Sequence, residues 1–260
     1  MPELPDIEGF RRTLARTLAG RRVERVQVLD PGVLNGVSPA VLGRLLHGRR
    51  FGVPDRHGKW LVLPTDGPSL VVHCGMTGRP YVAASAHPAD RFDRFVITLD
   101  DGEFRYADQR KLRGLWLLPA GDDLARVSGA LGVDALTIEP AQLRHILDRP
   151  TPLKAVLVDQ TLISGLGNML GDEICWHARI NPLVAARAMD DSAVADLHRS
   201  MRLVLQDAVK HGCIPRSPAW LSSARGATDA PCPRCGTTLC HSRVRQRTTL
   251  WCPRCQPSGT

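Results

Sequence analysis

Cys232-Pro233-Arg234-Cys235-Gly236 and Cys252-Pro253-Arg254-Cys255 bracket a stretch that begins the reading of this chain. Sixteen residues separate the two CxxC pairs. Each pair predicts a tight knuckle, and a hairpin between them brings the knuckles together as a tetrahedral site for one structural Zn²⁺. Four thiolates leave no open position for water, so catalysis at the metal is not expected. Arg243, Arg245 and Arg247 alternate along the intervening hairpin. Alternation predicts three heads on one strand face, turned toward phosphate, with Thr248 and Thr249 as further donors. Cys240 is spare, and Cys74, Cys175 and Cys213 read as small buried thiols.

Working outward, from Met201 nine Lys/Arg stand against only Asp207 and Asp229, which places nearly all of the net charge of +8 in the last quarter of the chain. That asymmetry fits a polyanionic partner, most simply nucleic acid. At 260 residues the chain can bury a core in one large or two ordinary domains, and 43% hydrophobic with 23% charged residues is a soluble globular composition. No apolar run approaches the roughly 18 residues of a membrane span. The opening residues lack a basic, apolar and small-residue leader, so a cytoplasmic, nucleoid-associated location is expected. Eight cysteines in such a chain favour metal over disulfides.

The first segment, Pro5 to Gly20, reads as an amphipathic helix, with Ile7, Phe10, Leu14 and Leu18 on one stripe. Pro5 suits a first turn and Gly20 a C-cap. From Arg22 to about Pro119 the pattern is strand-like: Val23, Val26 and Val28, then 60–63, 70–72, 95–99 and 115–118. Asp66-Gly67-Pro68 and Asp100-Asp101-Gly102 mark turns, the second of them a hairpin. An antiparallel sandwich or barrel follows. Beyond about Gly129 the pattern turns helical, with segments 141–147, 153–162, 169–178 and about 192–211. The last carries Val194, Leu197, Met201, Val204, Leu205 and Val209 on one face and ends at Gly212. Residues 215–230 read as a loop. The predicted fold class is mixed α and β in two domains. Residues 1–130 form an N-terminal antiparallel β-sandwich with flanking helices, 131–228 a helical domain, and 229–260 a zinc-ribbon finger.

Further motifs recur in order: Pro2-Glu3-Leu4-Pro5, His57-Gly58-Lys59-Trp60, His73-Cys74-Gly75-Met76-Thr77-Gly78 and Asp108-Gln109-Arg110-Lys111-Leu112. Then come Asp159-Gln160 leading to Gly165-Leu166-Gly167-Asn168, Asp172-Glu173, and Arg247-Thr248-Thr249 through Cys252 to Gln256. In this order and spacing the chain resembles the formamidopyrimidine-DNA glycosylase and endonuclease VIII family along nearly its whole length. The resemblance implies a β-sandwich, a helix-two-turn-helix domain and a C-terminal zinc finger. It also implies base-excision repair: a monomer acting on double-stranded DNA that contains damaged bases or abasic sites.

By that resemblance, Pro2 is the catalytic amine once Met1 is removed, which its small neighbour permits. Breaking the strand through an imine requires an unprotonated amine at C1′. An α-amine of pKa about 8 is roughly 10% neutral at pH 7, against roughly 0.04% for an ordinary lysine. Proline's imine is a cationic iminium at any pH, an electron sink for β- and then δ-elimination. Glu3 is the adjacent acid/base. Lys59, on a β-turn, reaches the site to contact phosphate or assist, and Glu173, at a helix start, stands behind the proline. Met76, Arg110 and Leu112 fill the gap left by a flipped base, Leu112 replacing an aromatic. Gly167 and Asn168 hold a phosphate at a helix N-terminus, Arg247 holds another, and Lys154 lies near the base pocket. The short segment from Gly212 to Pro231 counts against 8-oxoguanine and leaves ring-opened purines, hydantoins and oxidised pyrimidines open as lesions. The competing expectation is a zinc-finger DNA-binding protein that recognises damaged or abasic DNA without excising a base.

Overall fold

The computed structural model describes residues 1–85 and 87–257. The first unit comprises Met1–Pro2 and Asp6–Ala130, and the second Glu3–Pro5 and Leu131 onward. The ribbon and three N-terminal residues group with the helical region.

Helix α1 (Leu4–Thr17) opens the chain. Its stripe is buried at Ile7, Leu14 and Leu18, and Phe10 packs beside them. Then follow β1 (Val23–Val28), β2 (Leu34–Asn35), α2 (Pro39–Leu46), β3 (Asp55–His57), β4 (Trp60–Leu63), β5 (Ser69–His73), β6 (Arg79–Ala83), β7 (Asp93–Leu99), β8 (Glu103–Ala107) and β9 (Gly114–Leu118). They form two sheets, ordered β1-β7-β8-β6 and β2-β9-β5-β4-β3. The inward residues of both sheets share one core: Val23, Phe95, Ile97 and Phe104 from the first, and Leu61, Leu63, Leu70, Val72 and Leu115 from the second. The predicted hairpin closes between β7 and β8, where Leu99 N–H bonds the Gly102 carbonyl and Gly102 takes φ +85°. Two features depart from the expected all-antiparallel pattern. β2 and β9 pair in parallel. The strand-like region also contains α2, whose Ser38 side chain caps Val41 N–H and whose Leu42 and Leu46 are buried.

After α3 (Ala125–Ser128), the second unit holds β10 (Val133–Asp134), α4 (Pro140–Leu147), α5 (Leu153–Leu157), β11 (Ile163–Ser164), α6 (Asn168–His177), α7 (Asp191–His211), β12 (Cys240–Val244) and β13 (Arg247–Trp251). Every residue of the predicted stripe on α7 is buried, from Val194 to Val209, and Gly212 ends the helix in the left-handed conformation at φ 67°. This face packs with Leu143, Leu153, Leu170, Ile174 and Leu4. Helix α5 stops five residues before the expected end, because the chain turns there: Leu162 and Ile163 N–H both bond the Asp159 carbonyl. A smaller core of Trp176, Leu221, Leu239 and Leu250 lies with the ribbon cysteines. No helix among the described residues is long and apolar enough to cross a membrane.

Candidate active site, metal centre and nucleic-acid interface

The N-terminal residues are held by the turn before α6. Leu4 N–H bonds the Gly165 carbonyl at 3.1 Å. The Glu3 carboxylate is fully buried. Its Oε2 accepts from Gly167 N–H at 2.8 Å and Leu170 N–H at 3.2 Å, and its Oε1 accepts from Met169 N–H at 2.9 Å. A carboxylate at a helix N-terminus satisfies orphan amides and complements the helix dipole. The two glycines make this approach possible. A Cβ on Gly167 would stand 2.2 Å from Glu3 Cδ, and one on Gly165, at φ +105°, would stand 2.4 Å from Leu4 Cδ1.

That arrangement corrects one expectation. The Gly167 amide is taken by Glu3 and is not a free phosphate donor, because the helix terminus already holds an anion. Asn168, the first residue of α6, is half-buried.

Lys59 sits half-buried in the turn between β3 and β4, after Gly58 at φ 56°. The turn is braced from beneath. Arg56 donates Nη1 to the Gly58 carbonyl at 2.9 Å and Nε to Glu8 on α1 at 3.2 Å. Burial alone would raise the Glu8 carboxyl, but the Arg11 and Arg56 guanidiniums outweigh it and hold it at about 2. Nearby, burial and then the positive charges of Arg113 and Lys59 press His73 down to about 4. Neutral His73 accepts from Gly75 N–H through Nδ1 at 3.1 Å, which fixes the start of the Met76 loop.

Met76, Arg110 and Leu112 are exposed on two loops of the first unit, Leu112 at 52%. A single clamp joins the loops. Thr77 Oγ1 donates to Asp108 Oδ1 at 2.5 Å, and the Arg110 N–H reaches both Thr77 Oγ1 and Asp108 Oδ1 at 3.0 Å. Buried Tyr106 donates to the other oxygen of Asp108 at 3.1 Å. Lys111 takes the left-handed φ of 51°, and its ammonium bonds Asp30 at 2.7 Å. Asp108 and Thr77 lay inside quoted motifs, but residue type alone does not separate the clamp from the side chains it presents.

Lys154 is also corrected. It is fully buried, and its ammonium bonds Asp172 and, at 3.1 Å, the Thr248 carbonyl of β13. Asp172 further accepts from Arg225 and, at 3.2 Å, from Leu250 N–H. A lysine enclosed by these groups is held within the protein frame and is not exposed on a DNA-facing surface. Burial lowers Lys154 and raises Asp172 to about 6, the two cations pulling the latter back. Glu173 lies inside α6, not in its first turn. Its fully buried carboxylate accepts from Leu221 N–H at 3.1 Å and Ser222 N–H at 2.9 Å. Burial lifts it to about 7 against the pull of those amides. The predicted loop 215–230 is thereby fastened at its 3₁₀ turn, Leu221–Ala224. Its continuation, Arg225 to Thr228, lines a cavity of about 500 Å³ with His241, Thr248 and Leu250.

The four ribbon sulfurs lie within 4.8 Å of one another. Cys235 Sγ is 3.5 Å from those of Cys252 and Cys255, and Cys232 Sγ is 3.9 Å from that of Cys255. A tetrahedron with Zn–S bonds of ~2.3 Å has edges of roughly 3.8 Å, so the donor set fits that ion's size and softness. Buried Gln256 locks the second knuckle, accepting from Cys252 N–H at 2.9 Å and donating to the Ile180 carbonyl at 2.8 Å. Cys213, expected to be buried, is exposed.

The arginine hairpin differs from its prediction. Arg245 and Gln246 form the two-residue turn, both left-handed at φ 44° and 63°. Arg243 pairs with Thr248, and Val244 with Arg247. Counting alternate residues straight through a turn breaks the parity, so Arg243 and Arg247 lie on opposite faces of the ribbon. Arg245 bonds Asp159 at 3.0 Å, and Arg247 is exposed.

A sandwich presenting exposed side chains on two clamped loops, and a basic helical unit ending in a four-cysteine ribbon, define a DNA-binding protein of the helix-two-turn-helix type. Residues 1–115 match the formamidopyrimidine-DNA glycosylase N-terminal domain and 131–217 the H2TH domain of the same enzymes. The formamidopyrimidine-DNA glycosylase of Symbiobacterium thermophilum is 37% identical over 99% of this chain and 90% of that protein. That of Chloroflexus aurantiacus is 35% identical over 98% of each. The Lactococcus lactis enzyme bound non-covalently to abasic-site DNA superposes with a TM-score of 0.89 at 28% identity, covering 99% of this chain and 100% of that one. A MutM complex with DNA containing carbocyclic 8-oxo-G gives 0.90 at 28% identity, with the same coverage. This chain belongs to the formamidopyrimidine-DNA glycosylase and endonuclease VIII family.

Proposed function

We propose that this DNA glycosylase is bifunctional, excising an oxidised base and then cleaving the strand through a Schiff base on Pro2, whose nitrogen becomes an amine when Met1 is removed. The observation that carries the proposal is the anchoring of Glu3. Three backbone N–H groups and the Leu4–Gly165 bond fix the residue to which Pro2 is joined, so the amine is aimed instead of fraying. Pro2 nitrogen attacks C1′ and displaces the base, which leaves with the amine's proton; protonation of the ring oxygen then breaks the C1′–O4′ bond and leaves an iminium. Loss of the C2′ proton expels the 3′ phosphate, a second elimination expels the 5′ phosphate, and water returns the free amine. Glu3 handles protons on the sugar oxygen or the leaving base, and Lys59 contacts phosphate. Glu173 acts indirectly, by fixing residues 221–222. Asn168 and Arg247 grip phosphates, and Met76, Arg110 and Leu112 enter the gap left by the flipped base. One structural Zn²⁺ holds the ribbon, and the chain works as a monomer on duplex DNA.

Borohydride reduction in the presence of an abasic-site duplex tests this. A covalent adduct on the N-terminal peptide is expected from chain whose intact mass lacks Met1. An adduct on a lysine peptide, or none, overturns the assignment of Pro2.

A further inference from the structure

Helix α6 is gripped at three levels within the second unit. Its first turn receives Glu3. Its middle holds Lys154, Arg225 and the Leu250 N–H through Asp172. Its last turn meets the cysteine cluster through Trp176, which is 4% exposed. The Trp176 indole Nε1–H donates to Cys232 Sγ at 3.4 Å. The Arg234 guanidinium stacks 4.1 Å from the centre of the same indole and donates to the Trp176 carbonyl at 3.1 Å.

Four thiolates around one divalent ion carry a net charge of −2, and a partly buried site must supply donors to those sulfurs. Backbone supplies one at Cys252, whose Sγ accepts from Cys255 N–H at 3.4 Å. At Cys232 a side chain from another element does so. That distinction separates two roles for Trp176. Filling space between helix and ribbon requires only a large ring, and phenylalanine meets it. Donating to the sulfur requires the indole N–H.

We infer that Trp176 is a positioning residue that ties the metal-holding cysteines to α6 and, through this one rigid helix, to the Glu3 carboxylate about 12 Å further along its axis. Loosening the ribbon would then loosen the N-terminal turn of α6. The consequence for Pro2 rests on the function proposed above; the tie to the metal does not.

The full chain loaded with the spin-half cadmium isotope gives a direct readout without any substitution. Coupling to cadmium through the N–H···S bond should split the Trp176 indole resonance. Trp176→Phe then removes the donor and keeps a ring. Metal transfer to a chelating dye should quicken about tenfold, the lower end for loss of a ligand's hydrogen-bond partner. Hydrogen exchange at the Gly167, Met169 and Leu170 amides should quicken in the same metal-loaded variant. An unsplit Trp176 resonance, or metal release at the wild-type rate, overturns the tie to the metal. Unchanged protection of those three amides overturns the connection to Glu3. None of these readouts depends on strand cleavage, so loss of the lyase reading leaves them standing.

Discussion

In the first unit, Met76, Arg110 and Leu112 reach solvent from loops, while Asp108, Thr77 and Arg56 brace the backbone beneath such turns. In the second unit, Lys154, Asp172 and Glu173 lie inside and are spent on one another or on main-chain amides. Both sets come from motifs of the same outward character, short and rich in charge. The difference is one of desolvation: a charged group within a core must find its partners there, whereas one on a loop is left to water.

The sharpest way to break this contrast is Asp172→Ala, which strands Lys154 and Arg225. It should cost about 3–5 kcal/mol in chemical denaturation, whereas Arg110→Ala in the first unit should stay within about 0.5 kcal/mol. A loss below about 1 kcal/mol for the first would mean that the buried cations find other partners. Next in size is Gly167→Ala, whose Cβ collides with Glu3. Trapping on abasic-site DNA should slow by about 100-fold, as expected when a reacting group is displaced by an ångström, while DNA affinity changes far less. Equal losses in both would point to a general collapse of α6.

Acid titration sharpens the same comparison, since the two units should respond with opposite sign. Glu8, held at about 2 against an ordinary 4.5, binds fewer protons folded than unfolded, so its contribution is present above 4.5 and is lost as pH falls toward 2. Glu173, lifted to about 7 from 4.5, binds more protons folded, so stability declines as pH rises from 4.5 to 7; Asp172, at about 6, adds the same sign. Glu8→Gln should flatten the lower limb of the stability curve and Glu173→Gln the upper. An upper limb that persists unchanged in Glu173→Gln would assign that slope elsewhere. The smallest expected effect is Leu112→Phe. A larger stacking surface should tighten binding to an abasic-site duplex about threefold without shifting the melting temperature, a gain smaller than the ~1–3 kcal/mol that a full base–aromatic stack offers. Weaker binding would mean that the loop has no room for the ring.

What the sequence made legible was local. The α7 stripe, the Asp100-Asp101-Gly102 hairpin and the paired CxxC knuckles each depend on residues within a few positions of one another. So did the missed cues for α2, where Ser38 and Pro39 form an N-cap and first turn inside a region of strand-like pattern. What escaped was long-range partnership. Nothing beside Lys154 announces Asp172, and nothing beside Glu173 announces the amides of Leu221 and Ser222, 48 and 49 residues away. The turn between Arg243 and Arg247 holds no glycine to mark it, so the change of face it imposes leaves no trace in the sequence.

The docking of Glu3 and Leu4 onto residues 165–170 also sets an order of events in synthesis. Those two residues leave the ribosome more than 160 positions ahead of the turn that receives them. At 5–20 residues per second the interval is roughly 8–30 s. Until then the Glu3 carboxylate has no helix to cap and the chain's end is loose. The removal of Met1 proposed above would have that interval, with the terminus still unhoused. On this timetable the residue made almost first is among the last to reach its working position.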